Sequence, residues 1–460
     1  MVLAIDYHLT NQPPGVRDMG DLNKLSAFDA VNGIRTKRFT SQQLMADCLT
    51  RIEKREASVR AWAHFDPEYA MAEAKKADQK QNQGKKLGPL HGIPVGIKDV
   101  IDAKGMPGEH GSPIFDKRIP KEDSEAVIQL KKAGAIIMGK TVTTELANLT
   151  PSKTRNPHDL ERSPGGSSSG SAASVADFHV PLALGTQTGG SVIRPASFNG
   201  IYGLKPTVGR ISRNGMLLQS HTLDTIGVYA RNLADLAIIN NCLIDENAEA
   251  TSEEILEQGP KIFKNWAKTS ETPKFAFLET PAWPEADVGA KNAVEAAIIS
   301  LSSACQRESL PAPFSKIIDY HGTVFAAENS YYYGPFLDNQ PELLSKKLRD
   351  RLIISKTTLA SEYIAALNAR NEIYHLLEAL LDDYDAVLCL AATGAAPIGF
   401  ETTGSAIFNG LWTYLGVPCL SLPLLTAEKM PLGLQLVGKR GNEKKLFGTA
   451  DWIKNHLQAP

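Results

Sequence analysis

SPGGSSSGSAASVA (residues 163–176) and, four residues on, PLALGTQTGGSVIRPASFNGIYGLKPT (181–207) form the stretch on which the reading of this chain turns. Both are dense in Gly and Ser, a composition that ordinarily makes a flexible linker. Here it is interrupted by PLALG, a short apolar strand candidate, and by Arg194-Pro195 and Lys205-Pro206. A linker has no use for those, so the segment reads as structured backbone with tight turns.

Working outward, GIPVGIKDV (92–100) is apolar and β-branched, the pattern of a buried strand. A helix pattern over 124–133 and the apolar run 135–138 follow, and this strand–helix–strand alternation implies a mainly parallel sheet. Past the Gly/Ser segment the alternation resumes, with a strand at 274–279, a helix over 290–306, a long helix over 361–381 and a strand at 386–391. Nearer the N-terminus, TSQQLMADCLTRIEK (40–54) opens with cap residues and spaces Leu44, Cys48 and Ile52 four apart, a helix stripe, and a second helix is expected over 67–79. The predicted fold class is α/β: one large domain, residues 1–460, with a mixed, mostly parallel sheet covered by helices on both faces. Its parts are a helical layer (about 20–85), a core (about 86–245), a variable substrate-pocket region (about 246–385) and a C-terminal return to the core (about 386–460).

Composition narrows the function classes. Lys plus Arg number 49 and Asp plus Glu 51, a formal charge of -2 that gives no field for gathering nucleic acid or anionic membrane. The N-terminal MVLAIDYHLTNQ lacks a basic region followed by a long apolar one, and no stretch of eighteen uncharged apolar residues occurs, so a cytoplasmic protein is expected. The five cysteines are scattered without a C-x-x-C pair, and the ten histidines show no H-E-x-x-H or clustered spacing, so neither disulfides nor a metal centre is expected.

Two motifs invite other readings. GSSSG (166–170) fits G-x-S-x-G, which would make Ser168 a nucleophile on a strand-to-helix elbow, but the preceding NPHDLERSP is polar and holds two prolines, not a strand. GAIIMGKT (134–141) fits the phosphate-loop pattern, yet its intervening Ala-Ile-Ile-Met is itself the strand where a loop is needed.

GGSSSG, GTQTGGS and GLKPT, with GIPVGIKD upstream, closely resemble the amidase signature family, and KKAGAIIMGKTVTTELAN, LDTIGVYARNLADLA and PLGLQLVG extend the likeness over most of the chain. The resemblance implies a Ser-Ser-Lys triad with Ser191 as nucleophile, Ser167 as relay on a cis peptide, and Lys98 as base. It implies no metal or organic cofactor. The chemistry is coherent: a serine hydroxyl needs a base, and burial can lower a lysine from about 10.4 so that it stands ready as a neutral amine. The backbone N–H groups of Thr188, Gly189, Gly190 and Ser191 are expected to form an oxyanion hole. Gly166, Ser168, Gln187 and Arg194 are candidate substrate-binding residues. Gln187 stands where many members carry Asp, and Arg194 lies three residues after Ser191, where it either grips a substrate carboxylate or serves the framework. The implied reaction is C–N cleavage of a small amide, with carbamates and esters open to the same machinery, by a monomer or homodimer. The alternative is the glutamine-hydrolysing subunit of a tRNA-dependent amidotransferase, which the Gln187 and Arg194 pattern disfavours.

Overall fold

Helices form in the N-terminal region where cap chemistry and periodicity coincide. Thr40 and Gln43 close a reciprocal capping box at the start of Ser41–Val59, and Leu44, Cys48 and Ile52 are buried along it. Asp66 caps Pro67–Asn82, where a proline at the first helical position forfeits no hydrogen bond. The computed structural model describes residues 21–244, 252–266 and 272–457; the stretch MVLAIDYHLTNQ lies outside them.

In chain order the elements begin with α1 (Ala27–Arg35), α2 (Ser41–Val59), β1 (Trp62–Phe65), α3 (Pro67–Asn82), β2 (Pro94–Lys98), α4 (Glu125–Lys132) and β3 (Ile136–Thr141). The Gly/Ser segment supplies α5 (Ser169–Ala176), β4 (Leu182–Gln187), α6 (Ile193–Asn199) and β5 (Tyr202–Lys205), followed by β6 (Thr225–Ala230) and α7 (Leu233–Leu243). Then come α8 (Ser252–Gln258), α9 (Ile262–Trp266), β7 (Phe275–Leu278), α10 (Val288–Leu301), β8 (Cys305–Glu308), α11 (Ile317–Asn339), α12 (Lys346–Ser355) and α13 (Ala360–Asp383). The chain returns through β9 (Ala386–Leu390), α14 (Ile407–Leu415), β10 (Cys419–Ala427), β11 (Met430–Val437) and α15 (Glu443–Leu457).

These strands join one sheet in the order β1-β3-β2-β4-β6-β5-β10-β11-β9-β7-β8. The fold is α/β and the sheet mixed, as expected, but parallel pairing is confined to β3-β2-β4 and β9-β7-β8. The other pairings are antiparallel, so the sheet is less parallel than the alternation predicts. One of these antiparallel pairs is the unforeseen hairpin β10–β11, whose turn residues Glu428 and Lys429 both have positive φ, 52° and 63°. A helix over 290–306 is corrected too: α10 stops at Leu301, Ser302 takes φ 50°, and Cys305 and Gln306 enter β8.

Strand alternation divides the core between the two faces of the sheet. Phe275, Phe277, Ala386 and Leu388 pack with Ala290 and Val294 of α10 and Phe447 of α15. Their neighbours Ala276, Leu278, Val387 and Cys389 pack on the other face with Val324 of α11, Leu377 of α13 and Trp412 of α14. Around β2 and β4 every strand residue is buried, so polar groups at their C-terminal ends are held in a dry setting.

Candidate active site

Lys98 ends β2, pairing in parallel with β3 and β4, and its side chain is wholly buried. Its Nζ lies 2.7 Å from Ser167 Oγ, 2.7 Å from Thr186 Oγ1 and 3.5 Å from the Thr186 carbonyl. Burial holds this amine well below the usual lysine range; the Asp224 carboxylate works against that shift and the Arg194 guanidinium adds to it. A neutral amine suits the surroundings, since two N–H groups meet two Thr186 oxygens and the lone pair is left for the Ser167 hydroxyl. The Gly166–Ser167 peptide is cis, as the resemblance implies, and Thr144 N–H donates to the Ser167 carbonyl at 3.1 Å. Gly166 is closely packed: a Cβ there would stand 2.8 Å from Thr403 Cγ2, so that side chain would have to shift to admit one.

Ser191 follows β4 on the loop 188–191 and is partly exposed, whereas Ser167 is 2% exposed. Among the described residues no hydrogen bond ties the Ser191 hydroxyl to Ser167 or Lys98: two of the three expected members touch directly, and the third stands at the surface of the site. The loop around it is fixed by its carbonyls. His321 Nε2 reaches Thr188 O at 3.1 Å, Thr413 Oγ1 donates to Gly189 O at 2.7 Å, Arg194 N–H to Gly190 O at 3.0 Å, and Tyr229 OH to Ser191 O at 3.1 Å. In a planar trans peptide the N–H points opposite the preceding C=O, so anchoring each carbonyl aims the next amide the other way. Among the described residues the N–H groups of Thr188, Gly189, Gly190 and Ser191 donate no hydrogen bond, and the loop is a cradle of amides suited to a developing oxyanion. Gly190 has no room for a Cβ, which would lie 2.3 Å from Asn409 Oδ1; at Gly189 the nearest atom is 3.5 Å away, so the crowding is at one glycine only.

Three residues expected to touch substrate are engaged with the protein instead. Gln187 is fully buried; its Oε1 accepts from the N–H groups of Val192 and Ile193 at 2.8 and 3.0 Å, and its Nε2 donates to Thr413 Oγ1. Arg194 is 5% exposed and donates through Nη2 to Gly166 O at 2.5 Å and Thr403 Oγ1 at 3.2 Å, and burial pushes its guanidinium down to about 10. Ser168 bonds both the N–H and the C=O of Thr186, which fixes the strand that holds Lys98 and leaves no elbow nucleophile there. The phosphate-loop lookalike is likewise interior strand: Lys140 is buried in β3, 3.1 Å from Asp99. Of the three tyrosines in 331–333, Tyr333 is packed with its OH on Leu146 O, and Tyr331 is 76% exposed.

Other groups at the site carry no sequence signal. Asp224, pushed up to about 6 by burial, accepts from Thr188 Oγ1 at 2.5 Å, and Gln219 Nε2 donates to the same hydroxyl at 2.7 Å. Asn148 links Gln219 to Arg351, whose guanidinium lies 4.2 Å over the Phe325 ring. Burial lowers Arg351 to about 10, and among the described residues its hydrogen-bond partner is Asn148 rather than a carboxylate. No group of three or more His, Cys, Asp or Glu able to hold a metal occurs among the described residues, nor a helix long and apolar enough to cross a membrane.

Comparisons with known proteins identify the family and the fold. The family model described as Amidase matches residues 43–447. The chain is 31% identical to the proteins of Chloroflexus aggregans and Clostridium botulinum named as the A component of glutamyl-tRNA(Gln) amidotransferase, covering 94% of this chain and 96% of each relative. Among solved structures it is similar to a crystal structure of an amidase (27% identity, 94% of this chain and 100% of that one, TM-score 0.84). It is also similar to the native peptide amidase of Stenotrophomonas maltophilia (26% identity, 95% and 97% covered, TM-score 0.79).

Proposed function

This chain belongs to the amidase family, and on that premise we propose that it cleaves the C–N bond of a small amide through an acyl-enzyme on Ser191, with Ser167 as relay and Lys98 as base. The observation that carries the reading is the fully buried Lys98 amine, 2.7 Å from the Ser167 hydroxyl. Ser191 Oγ attacks the carbonyl carbon while its proton passes through Ser167 to the Lys98 lone pair. Negative charge collects on the carbonyl oxygen, opposite the unbonded amides of residues 188–191. The proton then returns through Ser167 to the departing nitrogen, the C–N bond breaks, and water activated along the same relay releases the acid and restores Ser191. Carbamates and esters present the same carbonyl and pass through the same steps.

Gln187 and Arg194 act on this reading as framework: the first anchors the peptide after the nucleophile, the second the Gly166 carbonyl beside the relay. The cation assigned on this reading to substrate binding is Arg351, which bonds Asn148 and stacks on Phe325, has no carboxylate partner among the described residues, and carries a planar fork that suits a carboxylate. Amides that carry a carboxylate some bonds from the scissile carbonyl are therefore the favoured class.

A second reading has its own support in the 31% identity to those amidotransferase components over almost the whole chain. On it the amide is that of glutamine, and the released ammonia serves a partner protein. Hydrolysis screening of the isolated chain separates the two, comparing aliphatic and aryl amides, half-amides of dicarboxylic acids, glutamine, esters and carbamates. Turnover of simple amides or half-amides by the chain alone supports the first reading. Glutamine hydrolysis that appears only with partner proteins supports the second, and no turnover of any of these in either setting overturns both.

A further inference from the structure

The helix α11 lies in the region expected only to shape the substrate pocket, yet one of its side chains reaches back to the loop that follows β4. His321 Nε2 is 3.1 Å from the Thr188 carbonyl, a group that only accepts, so this nitrogen carries the proton and Nδ1 is bare. Burial pushes the ring down to about 4, and it stays neutral in this tautomer at ordinary pH. On the same side of α11, Ile317 and Val324, four residues before and three after, are buried against Trp412 and its neighbours, which holds the helix in place independently of the loop. A Cβ on Gly410 would lie 2.9 Å from His321 Nδ1, so α14 closes over the ring from the other side.

We infer that His321 is a positioning residue for the oxyanion hole: by holding the Thr188 carbonyl it turns the Gly189 N–H toward the substrate oxygen. The inference rests on the hydrolytic reading above. The peptide joining Thr188 to Gly189 is trans, so its two polar ends point in opposite directions, and what grips one end aims the other. Gly189 cannot fix itself, since as glycine it has wide φ/ψ freedom and its nearest side-chain neighbours stand 3.5 Å or more from where a Cβ would be. Thr413 does the equivalent service one peptide later, at Gly189 O, with its own oxygen held by Gln187. His321 therefore does not move a proton in the reaction. It makes the variable region a part of the catalytic centre.

The test compares His321→Ala, His321→Gln and the unchanged protein on one turned-over amide, with benzeneboronic acid as a tetrahedral probe and the product acid as a ground-state one. Losing a direct oxyanion donor costs about 10²–10³ in rate, so losing its support is expected to lower kcat about 10–100-fold in the alanine variant with KM within about 3-fold. Boronate affinity should fall with kcat while product affinity holds, and glutamine, which keeps an N–H at similar reach, should restore most of the rate. An unchanged kcat in the alanine variant of an otherwise active enzyme overturns the inference alone. So does a rise in KM at constant kcat, or equal loss in both variants. An unchanged protein that hydrolyses no amide and forms no boronate adduct fails the hydrolytic reading itself, and this inference with it. Should the alanine variant not fold, His321→Leu, which fills the space without an N–H, takes its place beside the glutamine variant and is read by the same ratios.

Discussion

Replacing Gln187 by leucine tests how the sequence after the nucleophile is held. The side chain is fully buried and its Oε1 is the acceptor for two backbone N–H groups, Val192 at 2.8 Å and Ile193 at 3.0 Å, both on fully buried residues. Leucine has similar bulk but accepts nothing, so both amides lose their partner. A buried donor left unsatisfied costs about 1–3 kcal/mol, and two give about 2–6 kcal/mol, a large part of the roughly 5–15 kcal/mol by which a folded protein is stable. The same change frees Thr413 Oγ1, which Gln187 Nε2 holds against Gly189 O, so kcat should fall as well. Equilibrium urea unfolding followed by tryptophan fluorescence, beside kcat on a good amide, measures both. A stability loss under about 1 kcal/mol with normal kcat would refute the reasoning, because two orphaned amides cannot come so cheaply.

Three further outcomes follow from the same geometry. Because burial lowers Lys98 and the reaction needs its neutral form, kcat/KM should fall as acidification protonates it, at a pH well below the ordinary lysine range; an activity flat down to the carboxylate range would contradict this. The folded state binds that proton less tightly than the unfolded chain, so wild-type stability should rise with pH up to the ordinary lysine range. Lys98→Met should be inactive yet more stable than wild type at neutral pH, with the gain shrinking as pH rises toward 10.5 in pH-dependent unfolding. Arg194→Ala leaves the Gly166 carbonyl without its donor and should cost about 1–3 kcal/mol of stability and part of kcat; a rise in KM confined to acidic substrates, with normal stability, would return the residue to substrate recognition.

Legibility in the sequence varies by element. Cap-and-stripe helices are readable to within a few residues, as in α2 with Thr40 and Gln43, because the signals are local. The hairpin β10–β11 is not, since Glu428 and Lys429 adopt positive φ without the Asn-Gly or Asp-Gly that marks such turns. At the site, Lys98 and Ser167 stand out through their motifs and do meet across 69 residues of chain. His321 and Thr413 lie 133 and 224 residues from the loop carbonyls they hold, and a lone His or Thr carries no pattern that points so far. Gln187 and Arg194 mark an unusual loop, but their partners are backbone groups, which a sequence does not display, and threonine hydroxyls more than 200 residues away.

The most direct measurement is covalent labelling with an arylsulfonyl fluoride or an activated phosphonate, followed by mass spectrometry of the modified peptide. One adduct per chain at Ser191, lost in Lys98→Met and strongly slowed in Ser167→Ala, is the predicted result. Modification at Ser168, or labelling of Ser191 at an undiminished rate in Lys98→Met, would contradict the account.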